Sequence, residues 1–192
     1  MSDFWLFFTL GLEHVLDFGA YDHILFLVAL CASYSFTSWR KLLVLVSLFT
    51  LGHTLSLVLS SYEVVIVSSD LIEFFIPVTI LIAAIYNLFT AGEIERSNKL
   101  MVLYTVTLFF GLIHGFGFAT YYNMINSEGD LMPLIEFALG VEMAQIIIVL
   151  MALLLGYICL SVFRFNKRDW VLVISSVVIG MAIPMLVENW YF

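Results

Sequence analysis

Stretches of about 20 apolar residues recur along this chain between short polar loops, and each is long enough to cross the hydrocarbon core of a bilayer as a helix. In lipid, every backbone N–H and C=O must be satisfied by the protein itself, so only helices and closed barrels cross. Unbroken apolar runs such as Leu42–Val46 and Ile146–Leu155 are unlike the short alternating segments of a barrel. The expected fold class is all-α: a polytopic transmembrane helical bundle forming a single domain over residues 1–192. No soluble core of this length needs a composition that is 63% hydrophobic and only 11% charged. The lipid bilayer is thus the first partner. Seven basic residues, a net charge of −8 and no basic stripe exclude nucleic acid. Met1-Ser2-Asp3 lacks a basic n-region, so no signal peptide is expected. Cys31 and Cys159 are far apart and form neither a disulfide framework nor a metal-binding pair.

Six main spans are expected, at about 20–37, 40–60, 70–91, 99–123, 132–163 and 170–190. Ahead of them, Phe4–Leu16 would be about 20 Å long as a helix, too short to cross alone. It reads as a short N-terminal helix that is interfacial, re-entrant or the outer part of a broken first span, with Gly11 and Gly19 permitting the break. Every Lys and Arg falls in one set of alternate loops: Arg40 and Lys41, then Arg96 and Lys99, then Arg164, Lys167 and Arg168. These loops are expected to be cytoplasmic. The opposite loops carry Glu63, Asp70, Glu128 and Asp130 and no basic residue, so both chain ends are expected to face out.

This topology assigns depths. His53 falls roughly 10 Å and His114 roughly 14 Å below the outer ends of their spans. His14, Asp17, Asp22 and His23 surround the break at Gly19, Glu73 and Glu136 lie about one turn inside the outer helix starts, and Glu142 is deeper. The inner half is poorer in polar groups, and Asn87 is its best stepping stone for an ion. An internal echo runs through the chain: Leu71-Ile72-Glu73-Phe74 follows His53, and Leu134-Ile135-Glu136-Phe137 follows His114, with His-to-Glu separations of 20 and 22 residues. It suggests a parallel repeat of 40–91 and 99–150 about an axis along the membrane normal.

Ionisable groups at such depths are expensive and mark functional sites by default. Asp22 alone reads as a helix cap, but capping needs one residue, and Glu13, His14, Asp17, Asp22 and His23 cluster there. His53 alone reads as an interhelical hydrogen bond. Gly111 and Gly115 read as a small-residue seam that brings a neighbouring helix against His114, and Gly115 with Gly117 would permit a local break in the helix. Glu142 and Gln145 share a helix face. Neutral imidazole and carboxylate together suit divalent nickel, cobalt, zinc or iron. The candidate metal ligands are His14, Asp17, Asp22, His23, His53, Glu73, His114 and Glu142.

The chain resembles the HupE/UreJ family of small bacterial membrane proteins. The resemblance rests on Gly11-(x)2-His14 to Gly19-(x)2-Asp22-His23-(x)2-Phe26-Leu27, Phe49-Thr50-(x)2-His53-Thr54-(x)-Ser56-Leu57, Phe110-Gly111-Leu112-(x)-His114-Gly115-Phe116-Gly117-Phe118-Ala119 and Gly140-Val141-Glu142-(x)2-Gln145. It implies a permease of the bacterial inner membrane that takes up nickel or cobalt. One departure leaves the ion open among nickel, cobalt and zinc: Val15 follows His14 where the hydrogenase-linked branch carries proline. Two alternatives stand beside transport. One is a membrane-embedded zinc-type metallohydrolase using the same ligands with Glu142 or Glu73 as general base. The other is a metal-binding sensor or assembly subunit, acting as a homo-oligomer or with a partner membrane subunit.

Overall fold

The computed structural model describes residues 3–91, 100–126 and 130–190. Among these residues seven α-helices follow one another: α1 (Asp3–Leu16), α2 (Asp22–Cys31), α3 (Trp39–Ser61), α4 (Ser69–Thr90), α5 (Leu100–Ile125), α6 (Leu131–Tyr157) and α7 (Lys167–Glu188). No strand occurs among the described residues. Five of the helical segments, those built on α3 to α7, are long and apolar enough to cross a membrane. At 22 to 27 residues, α3 to α7 match a bilayer core at about 1.5 Å per residue.

The first expected span departs from the sequence reading. The α-helix there is confined to Asp22–Cys31, ten residues or about 15 Å, which cannot cross alone. Helix α1 supplies the missing length. Its Phe7 ring lies 6.4 Å from that of Tyr122, at the end of α5 beside the acidic loop. Its His14 ring lies 4.7 Å from that of His23 at the start of α2. Helix α2 then ends where Asn87, near the far end of α4, donates its Nδ2 to the Ala29 carbonyl at 2.6 Å. So α1 and α2 run in sequence from the acidic end of the bundle to the basic end, as one interrupted path. Between them, Asp17 turns the chain by accepting from the Gly19 amide at 2.7 Å. Among the described residues the structure thus has five continuous long helices in place of six full spans, with α1 and α2 as a divided pair, which is the broken-span arrangement expected as one of three for Phe4–Leu16.

Arg40, Lys41, Lys167 and Arg168 begin helices at one end; at the other, Glu63 and Asp130 occupy loops, and Asp70 lies in the first turn of α4. Arg96 and Lys99 lie outside the described residues. Backbone contact at glycine holds two helix pairs together. In α3 and α5, Gly52 packs on the Leu108 carbonyl and Gly111 on that of Phe49. In α1 and α6, Gly11 packs on the Phe137 carbonyl and Gly140 on that of Phe8. Without a hydrophobic drive between helices in lipid, close backbone approach of this kind is a main source of association. Helix α5 continues unbroken through Gly115 and Gly117, so the break that the sequence permitted there does not form.

Candidate metal centre

The divided pair and the glycine seams converge on one buried point. His14 comes from the end of α1, Asp22 and His23 from the start of α2, His53 from α3 and His114 from α5. His23, His53 and His114 are 2%, 1% and 2% exposed. The ligand atoms of His14, His23 and His53 all lie within 4.8 Å of one another, as do those of Asp22, His23 and His114. His23 belongs to both groups. Ring centroids are 5.5 Å apart for His14 and His53, 5.8 Å for His23 and His53, and 5.1 Å for His23 and His114.

The hydrogen bonds reveal which atoms are spare. Asp22 Oδ1 lies 3.2 Å from His23 Nδ1. A carboxylate only accepts, so His23 carries its proton on Nδ1 and turns the Nε2 lone pair inward. Metal-binding histidines are commonly oriented by a carboxylate in this way. Nε2 of His14, His23 and His53 are all buried and without a hydrogen-bond partner. On His114 the roles reverse. Thr79 donates its hydroxyl to the Ile76 carbonyl at 2.7 Å, so its oxygen accepts from His114 Nε2 at 3.4 Å. His114 Nδ1 is then a bare lone pair, without a hydrogen bond and 3.8 Å from Asp22 Oδ2. Two acceptors face each other with no proton between them. Buried polar atoms are rarely left unsatisfied, and a single cation would satisfy these groups together.

Aromatic rings close the centre from several directions. Phe118 lies 3.9 Å from the His14 ring and stacks on Phe137 at 5.2 Å, while Phe49 and Phe26 flank His114 at 5.3 and 5.8 Å. Toward the basic end, Leu27, Cys31, Leu42, Leu45 and Val46 form buried apolar packing.

Asp22 does not act as the helix cap its position suggested. Tyr21 occupies the cap position without a side-chain bond, and the Asp22 carboxylate is turned to the histidines instead. Three of the expected ligands are not brought into either group. Asp17 is exposed and occupied by the Gly19 turn. Glu73 lies on an exposed face of α4. Glu142 is bound by the hydroxyls of Ser47, at 2.6 Å, and Thr50. Asn87 is likewise committed: it holds the end of α2 and accepts from Ser33 at 3.4 Å, which removes it as a free stepping stone. Thr79 was not anticipated; its one sequence cue is its place a half-turn after Pro77 in a charge-free stretch.

Compared with known proteins, residues 1–190 match the family described as HupE / UreJ protein. No curated protein and no solved structure matches the chain. With the match extending over essentially its full length, this membrane protein belongs to the HupE/UreJ family.

Proposed function

We propose that this protein carries a divalent transition metal across the bacterial inner membrane, with the loops bearing Arg40, Lys41, Arg164, Lys167 and Arg168 on the cytoplasmic side. The family is associated with nickel and cobalt uptake, which sets the class of cargo. The observation that carries the reading is the convergence of His14, His23 and His53, each with a buried and unpartnered Nε2, with the Asp22 carboxylate and a fourth imidazole beside them. Neutral imidazoles with a single carboxylate suit nickel, cobalt or zinc over magnesium or calcium, which prefer oxygen. His14, His23 and His53 would ligate the ion. Asp22 would orient His23 and, with His114, offer a neighbouring position.

Apolar packing between this centre and the basic end favours the alternative of a membrane metallohydrolase, which needs no inner path. Against it, neither candidate base borders the histidines, since Glu73 is exposed and Glu142 is engaged elsewhere. The burial of His23, His53 and His114 also matches the occluded stage of a carrier that opens alternately to each side. Metal analysis of the purified protein, followed by Ni2+ and Co2+ flux into proteoliposomes, tests the proposal. The expected result is bound metal and saturable flux, both lost in His53→Ala. Bound metal with no flux would end the transport reading, and metal-free protein would end every metal reading.

A further inference from the structure

A second polar group lies between α3 and α6, separate from the histidines. Glu142 is eleven residues into α6, about 16 Å along the helix. A carboxylate at that depth needs a strong reason. Ser47 and Thr50 donate to its two oxygens, and Thr50 lies 3.0 Å from the Gln145 side chain. Gln145 is wholly buried, and its amide nitrogen as placed has no partner.

Proton counting resolves the orphan. Thr50 owns one hydroxyl proton, and the charge-assisted bond to Glu142 claims it. The Thr50 oxygen must then accept from the Gln145 amide nitrogen, since which end of an amide is nitrogen is an assignment. The unpartnered buried atom becomes the Gln145 carbonyl oxygen. The group therefore presents only oxygen donors: one carboxylate, two hydroxyls and a free amide oxygen, with a single negative charge.

Its position follows the helix period. Ser47, Thr50 and His53 are three residues apart on α3, so they form one ladder leading from the metal centre toward the basic end. Glu142 and Gln145 line the facing side of α6 with the same spacing. The ladder is dry at the histidine end, where Thr50, His53 and Gln145 are buried, and open at Ser47, which is exposed. Ser47 is about 12 Å from the start of α3 at the basic end. In a membrane, an open carboxylate-bearing end has to face water or protein.

We infer that Ser47, Thr50, Glu142 and Gln145 form a second cation station, which receives the transported divalent ion from the histidine centre and releases it toward the cytoplasm. This deepens the transport reading and rests on it. The chemistry suits such a handover. Borderline ions prefer imidazole to hydroxyl and amide oxygen, so the first site holds and the second releases, while the Glu142 charge draws the ion off the histidines.

Ni2+ is the probe, with the full-length protein, Glu142→Gln and Glu142→Asp purified and reconstituted in parallel. Equilibrium binding and influx are measured on each, with thermal melting to confirm folding. Glu142→Gln is expected to bind Ni2+ with unchanged stoichiometry and with affinity within about threefold, while its influx rate falls about tenfold or more, a transition-state loss of about 1.4 kcal/mol. Glu142→Asp is expected to recover part of the rate. Unchanged influx in Glu142→Gln overturns the station. So does loss of Ni2+ binding in a folded Glu142→Gln protein, because Glu142 would then belong to the histidine centre. If Glu142→Gln does not fold, Thr50→Val takes its place and is expected to show the same split. Absence of influx in the unsubstituted protein overturns the transport reading itself, and the station with it.

Discussion

Adding one methyl group at Gly111 tests whether the glycine seam between α3 and α5 sets the geometry of the metal centre. A Cβ at Gly111 would overlap the Phe49 carbonyl oxygen and lie 3.0 Å from its carbon and 3.1 Å from the His53 amide nitrogen. All three are backbone atoms and cannot rotate aside, so the helices must part. Overpacking of this kind costs about 2–3 kcal/mol, offset by the ~1 kcal/mol that Ala gains over Gly in a helix. The net loss of ~1–2 kcal/mol lowers Tm by roughly 2–8 °C for a chain of this size. Gly180 on α7 is the control, because nothing lies within 4 Å of a Cβ built there. Gly180→Ala keeps the helix gain alone and should raise Tm by about 1–4 °C. The assay is thermal melting in detergent micelles followed by near-UV circular dichroism, with Ni2+ titration of each variant. Parting α3 from α5 displaces His53 from His114, so Ni2+ binding to Gly111→Ala should weaken about tenfold, while Gly180→Ala binds normally. Equal Tm shifts in the two variants, or a destabilised Gly111→Ala with native Ni2+ affinity, would refute the link between seam and site.

The Asp22 carboxylate orients His23 and faces His114, so Asp22→Asn should weaken Ni2+ binding about 10- to 100-fold with little change in Tm; native affinity in equilibrium dialysis would remove Asp22 from the centre. Ligation requires neutral imidazoles, and protons therefore compete with metal. Ni2+ affinity should fall with acidification, read as Kd by equilibrium dialysis across a pH series. An affinity that rises as the pH is lowered would rule out imidazole ligation.

The sequence ordered the polar groups by depth, and the four histidines do come together in the structure. The rule of basic loops and the rise per residue supply that coordinate without any knowledge of packing. The facing direction was harder. Helices α3, α5, α6 and α7 are apolar nearly all round, because lipid and the bundle interior are equally hospitable to Leu, Ile and Val. Hydrophobic periodicity then no longer marks the inward side. Glu73 illustrates the failure: expected among the ligands, it lies on an exposed face of α4. Glu142 shows the converse, since its hydrogen-bond partners Ser47 and Thr50 lie 95 and 92 residues away in sequence and were visible only once α3 and α6 were packed together. The glycine seam at Gly111 and Gly115 was legible because a missing side chain permits close approach whichever way the rest of the helix faces.

The break at residues 17–21 explains why so small a bundle can gather four imidazoles. Along a continuous helix, His14 and His23 would be separated by about 13 Å of axial rise, and no imidazole could close that gap. Interrupting the helix brings their rings to 4.7 Å. It also creates a helix start whose first residue, Asp22, is free to serve the histidines rather than a cap. A divided helix leaves backbone groups unsatisfied in lipid, and membrane proteins tolerate that only where protein or a polar cavity covers them. Here the Asp17 carboxylate takes up the Gly19 amide. Asp17, which the structure does not bring to the metal groups, therefore stabilises the turn that makes the site. The polar residues near Gly19 thus divide by role, with His14, Asp22 and His23 turned to the candidate metal centre and Asp17 to the chain itself.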